Sequence, residues 1–274
     1  MHILNTVLGG LVEGLLSPFR EFPPLVGLTV VSLVTGVAVL LVVKATSNQQ
    51  GIKAVKRKIA AGIFEIRLFN DDPRAILRAQ ADILRHSFTY MGLNLVPVLW
   101  MIVPLVLVII QLQSLYGYAG PEPGGTTLVK VVFNSDAPSV APDVSLEADP
   151  GIGVETPLLW IPSLREAAWR IAVRHPGEHE LRVRIGDNVL SKHVLVSEAV
   201  VRRSPVRPSD GFIDQLLNPV ERPLQGDLPI ESITVMYPEA SMGFLFWEAH
   251  WLVVYFVLSV LVAVALQRPF GVVL

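Results

Sequence analysis

Three imidazoles have the residue type and spacing to do chemistry. His175 and His179 bracket Pro176-Gly177-Glu178, and His193 follows on a later strand-like segment. Three such rings converging on one point would hold zinc, with a fourth ligand or a water completing a tetrahedron. Pro176-Gly177 makes a turn, however, so the first two rings flank a loop and diverge. The expectation is no metal and no cofactor. A second cluster, Lys53, Lys56, Arg57 and Lys58, carries the charge to contact a nascent chain, ribosomal RNA or a protein partner. Beside an apolar run its simpler role is to face anionic lipid headgroups, each charge contributing about 1 kcal/mol near the surface. Trp247-Glu248-Ala249-His250-Trp251 opens another apolar run. It reads as an aromatic belt at headgroup depth rather than as the lining of a functional cavity. Ser87, Tyr90, Asn94 and Ser259 have the chemistry of helix–helix hydrogen bonds. No Ser-His-Asp set, paired carboxylates, Walker loop or GxGxxG turn occurs, and the chain is not read as an enzyme.

The elements that must position these residues are set by apolar clustering. In 274 residues, 51% are hydrophobic, and the mean hydropathy is +0.52. Three apolar runs, Leu25–Val43, Met91–Leu115 and Phe244–Leu266, each reach the length of about 20 residues needed to cross a bilayer. The first contains only Thr29, Ser32 and Thr35 as polar groups, candidates with Asn94 and Ser259 for lining a groove or packing helices. Tyr116 and Tyr118 mark the outer end of the second run as an interface belt would, joined at the third by Trp247, His250 and Trp251. From Lys44 to Tyr90 nine basic residues stand against four acidic ones, whereas Gly117–Trp247 holds 11 basic and 17 acidic. Short Lys/Arg-rich loops stay in the cytoplasm and long loops cross largely regardless of charge. The N-terminus is therefore expected outside, the basic segment and C-terminus inside, in a bacterial inner membrane. A net charge of −2 gives no reason to expect nucleic acid. The expected partners are the lipid bilayer and other membrane proteins. There is no cysteine, so an exported domain must rely on its core. The first residues lack a basic n-region and a small-x-small cleavage site, and read as an unprocessed start rather than a signal peptide.

Residues 1–18 show apolar spacing of i, i+3, i+4, i+7, which predicts an amphipathic helix lying in the outer interface. Residues 49–88 predict a cytoplasmic helical hairpin. Its first helix is Ile52–Leu68, and its second opens at the Asp72 cap with Pro73 at the first helical position and runs to about His86. Both arms are expected to bury their apolar stripes against each other. Pro97 and Pro104 sit within the second span. Beyond the Pro/Gly linker Gly120–Thr126 the period changes to two, predicting strands at Leu128–Phe133, Val144–Leu146, Ala167–Val173, His179–Ile185 and Val189–Val196, with a hairpin turn at Gly186-Asp187-Asn188. Ser204–Pro229, with five prolines, predicts an extended strap carrying one helical turn, Phe212–Leu217, before a last strand at Ile230–Met236. The expected fold is an α+β integral membrane protein with three transmembrane helices and an exported antiparallel, Ig-like β-sandwich over residues 120–242.

The order of elements over about residues 3–115 resembles the YidC/Oxa/Alb membrane insertase superfamily, whose three-span relatives include the insertase subunit of the ER membrane complex. The resemblance rests on the outer helix, the N-out span, the basic start Gln49-Gln50-Gly51-Ile52-Lys53, the inter-helix Asp71-Asp72, and Asn94-Leu95-Val96-Pro97 opening the second span. It implies a groove open to cytoplasm and lipid through which a client's polar tail crosses. The chain departs from the family layout in having no charge in Leu25–Val43 and a large domain between spans two and three. Two functions follow: an insertase-like biogenesis factor, or a structural or accessory subunit of a larger membrane complex held through its β-domain.

Overall fold

A computed structural model describes residues 2–134, 142–225, 228–244 and 246–272. Met1, the Ile3 side chain and Leu245, which the sequence assigns to the outer helix and the third span, lie outside the described residues. The helices that open the chain are α1 (His2–Leu16), α2 (Pro24–Thr46), α3 (Gln49–Leu68) and α4 (Pro73–Tyr116), with a 3-10 turn at Ser17–Phe19. Strands β1 (Thr126–Phe133), β2 (Val144–Ala148), β3 (Ile152–Val154), β4 (Leu159–Ile161), β5 (Glu166–Val173), β6 (Gly177–Ile185) and β7 (Asn188–Val196) come next. Then follow β8 (Val206–Pro208), α5 (Phe212–Leu217), β9 (Ile230–Val235), β10 (Ser241–Phe244), β11 (Trp247–His250) and α6 (Trp251–Phe270). Helices α2, α4 and α6 are each long and apolar enough to cross a membrane. The chain divides into two compact units, Met1–Gly27 with Val108–Val254, and Leu28–Leu107 with Tyr255–Leu274.

In the helical unit, local capping starts each arm of the hairpin. The Asn48 side chain accepts the Gly51 amide at 2.8 Å. Asp72 accepts from the amides of Arg74 at 2.9 Å and Ala75 at 3.3 Å, with Pro73 supplying a first turn that needs no amide. The arms meet where side chains are smallest: a Cβ on Gly62 would come within 2.8 Å of Ile83, and Ala79 is fully buried. Two expectations change here. The second arm does not stop near His86, because no residue between His86 and Met91 breaks a helix; arm and apolar run form one 44-residue helix. And the stripes are buried against each other only in part. Ile52, Val55 and Ala79 are buried, while Phe64, Leu68, Leu77, Leu84 and Phe88 are exposed, since two helices meeting at one narrow seam cover only the side they share.

In the strand-rich unit, one sheet has the order β3-β5-β1-β9-β8, with β4 also on β5, and a second has the order β2-β6-β7. All pairings are antiparallel. Alternation along β1 turns Val129, Val131 and Phe133 inward. Side chains of both sheets share two apolar clusters, one around Phe133, Trp169, Val183 and Ile233, the other around Val129, Ile171, Leu181 and Val194. Strand β7 lies at the edge of its sheet, and its open backbone groups are capped by side chains rather than by another strand. Arg207 donates to the Ser191 carbonyl, Glu221 accepts from the His193 amide, and the Tyr237 hydroxyl accepts from the Leu195 amide. An edge covered in this way offers no template for pairing with another chain.

The proline-rich strap carries β8 and α5, the latter at the expected residues. The third apolar run starts later than its composition implies. Ser241–Phe244 and Trp247–His250 pair as a short β-hairpin, so α6 begins only at Trp251 and extends to Phe270. Aromatic and β-tolerant residues in that stretch satisfy either structure, and strand pairing wins.

Candidate functional site

Helix α4 carries the most extensive candidate surface. Leu77, Leu84, Phe88, Met91, Leu95, Leu99, Ile102 and Val106 recur at steps of seven, four and three. At 100° per residue they fall on one side of the helix. All eight are exposed, from 44% at Val106 to 69% at Phe88. An apolar stripe therefore begins on the arm of the hairpin and continues into the apolar rod without a break. Phe64 and Leu68 of α3 are exposed as well.

The basic cluster belongs to the same hairpin. Lys53, Arg57 and Lys58 are exposed, and Lys56 lies over the Tyr90 ring at 5.4 Å from its centroid. That cation–π contact ties α3 to α4.

Polar residues of the first and third apolar runs meet at a helix–helix seam. Ser32 Oγ donates to the Tyr255 carbonyl at 3.4 Å, and the Tyr255 hydroxyl donates to Thr35 Oγ1 at 3.2 Å. Ser32 and Thr35 are buried in this seam. Gly36 lets α6 approach closely: a Cβ there would meet Val262 at 2.7 Å and the Ser259 carbonyl at 3.1 Å. Ser32, Thr35 and Ser259 thus belong to helix packing. Thr29 is exposed, and the Asn94 side chain donates to the Tyr90 carbonyl of its own helix at 2.8 Å.

The residues read as an interface belt separate into two groups. Tyr116 and Trp251 are 5% and 1% exposed and pack inside the protein. Tyr118 is half-buried, its ring 6.4 Å from that of Tyr237. Only Trp247 and His250 are exposed, both on β11, and His250 Nδ1 caps α6 by accepting the Leu252 amide at 3.2 Å. Of the three histidines singled out, His179 donates to the His175 carbonyl at 2.9 Å. The register sets His179 opposite Val194 and His193 opposite Glu180, so His179 and His193 leave the sheet on opposite faces. His193 lies 3.3 Å from Glu178.

Sequence reasoning passed over three cations that the fold places at junctions. Lys192 is fully buried, with its Nζ 2.5 Å from the Ser204 carbonyl and 3.0 Å from Glu221. Burial lowers its pKa to about 8, with the Glu221 carboxylate opposing part of that shift. It occupies an inward position of β7 between Leu190 and Val194, and that placement was the available signal. Arg203 donates to the carbonyls of Tyr118, Ser197 and Ala199. Arg202 donates to Gln111 and to Ser114 and faces Glu13 at 3.6 Å. Burial pushes both guanidinium groups below their ordinary value. Arg202 and Asn5, whose side chain donates to the Gln215 carbonyl at 2.7 Å, pin the polar side of α1 to the rest of its unit. Leu4, Val7 and Leu11 are left exposed on the helix.

The chain matches no protein-family model, and no curated protein or solved structure is significantly similar to it.

Proposed function

We propose that this chain is an insertase-like membrane-protein biogenesis factor, set in a bacterial inner membrane with its N-terminus outside. In this reading α2, α4 and α6 cross the bilayer, the α3–α4 hairpin is cytoplasmic, and the strand-rich unit is an exported Ig-like sandwich, a reading supported by the apolar clusters its two sheets share. The observation that carries the function is the unbroken stripe on α4. Lipid can cover Leu95–Val106, but Leu77, Leu84 and Phe88 would meet water, at about 25 cal/mol per Å² of apolar surface. A client's apolar segment arriving from the cytoplasm would cover them and then follow the same side of the helix into the bilayer. Lys53, Arg57 and Lys58 would hold the hairpin against anionic headgroups meanwhile.

A second reading, an accessory subunit of a larger complex, is favoured by the seam at Ser32, Thr35 and Tyr255, where polar side chains of α2 and α6 are spent on packing the two helices together. Under it, one permanent partner covers the α4 stripe. A photo-crosslinker at Phe88 in the full chain separates the two. Insertase-like action gives transient adducts with many newly made membrane proteins, and depletion blocks insertion of short-tailed clients. A single adduct at every time point, with normal insertion after depletion, would leave only the accessory role.

A further inference from the structure

Between the end of α1, the 3-10 turn, the start of α2, the end of α4 and Val200–Arg202 lies a cavity of about 230 Å³. Its walls are mainly apolar, Phe22 and Leu115 among them, yet it is also lined by Arg20, Arg202 and Glu13. Two guanidinium groups against one carboxylate leave one positive charge in excess. Arg202 is the charge withdrawn from water, which a partner must stabilise, and Glu13 lies 3.6 Å from it, longer than a close charge-assisted hydrogen bond, while Arg20 stands at the exposed mouth. Among the described residues Arg20 forms no ion pair. The Arg202 guanidinium is held in place by Gln111 and Ser114. The volume falls below the roughly 300–1,000 Å³ of sites that enclose whole drug-sized ligands, and suits the charged end of a longer molecule.

We propose that this cavity is a phosphate site that takes the phosphodiester of a membrane phospholipid between Arg20 and Arg202, with an acyl chain leaving along Phe22 and Leu115. Arginine favours phosphate because its planar fork presents paired donors to two oxygens. The apolar walls, at the ends of two membrane-length helices, favour a lipid over a free anion. The inference rests on the chain crossing a bilayer, as proposed above, and is independent of client insertion.

The test uses the full chain purified in detergent and stripped of lipid. Native mass spectrometry follows retention of dioleoyl phosphatidylglycerol, dioleoylglycerol, which lacks phosphate, and inorganic phosphate. The expected result is one phosphatidylglycerol per chain, with little retention of the other two. Arg20→Gln, at an exposed position, should weaken retention at least tenfold, and Glu13→Gln, which removes the competing carboxylate, should strengthen it. Equal retention of dioleoylglycerol, or Arg20→Gln binding as the parent does, overturns the proposal. Saturation by inorganic phosphate that displaces the lipid assigns the site to free phosphate and overturns the lipid source. Carbonate extraction of the chain from cell membranes would refute bilayer crossing itself, separately from these outcomes.

Discussion

Lys192 is a charge placed in an apolar row, and Glu221 makes that tolerable. Removing one partner of a buried pair costs about 3–5 kcal/mol because the other is left uncompensated. Glu221→Gln should therefore destabilise the strand-rich unit by about that much, read as denaturant unfolding of the full chain in detergent by tryptophan fluorescence. The double variant Lys192→Met with Glu221→Gln should recover most of the loss. Lys192 also sets a pH dependence. Its proton is held less tightly in the folded chain, at about 8 against 10.5 for an ordinary lysine. Between those values the unfolded chain binds more protons, so stability rises with pH. The Tyr237 hydroxyl, raised to about 12 by burial, acts oppositely, but only above its ordinary value of 10. Melting temperature should climb from pH 8 to 9.5 in the parent and stay flat in Lys192→Met. A parallel climb in both would remove Lys192 as the cause.

At the scale of elements, legibility followed locality. The cap at Asp72-Pro73, the turn at Gly186-Asp187-Asn188 and the helical turn Phe212–Leu217 depend on residues within a few positions, and each was readable. The three-residue strands β3 and β8 exist only through distant partners such as Ile171 and Thr234, and were not; β4 pairs with the nearby start of β5 but is too short to show an alternation. The continuity of α4 was hidden by a change of pattern, amphipathic before Met91 and apolar after it, that resembled a boundary. Of the candidate site, the basic cluster was legible from charge alone, whereas the stripe emerges only once α4 is known to be one helix. Two variants test these elements. Gly36→Leu places a side chain against Val262 and the Ser259 carbonyl, and overpacking of that kind costs about 1–3 kcal/mol; a lower melting temperature in detergent should report it. Leu84→Glu, on the exposed stripe, should leave stability within about 0.5 kcal/mol and abolish crosslinking of clients from Phe88. Persistent crosslinking in that variant would detach the stripe from client capture.

For the whole molecule, the absence of cysteine turns topology into a clean experiment. Single-cysteine variants Lys58→Cys and Asp187→Cys, both at exposed positions, can be treated in intact cells with a membrane-impermeant maleimide. Asp187→Cys should react at once and Lys58→Cys only after permeabilisation. The reverse pattern would invert the molecule and remove the cytoplasmic route for clients.

Helix α4 spans 44 residues, which at 1.5 Å per residue is about 66 Å of continuous helix. Pro97 and Pro104 each lack the amide that would tie one turn to the next, so a rod of this length has its built-in bending points within the apolar run and not on the arm that carries Leu77 and Leu84.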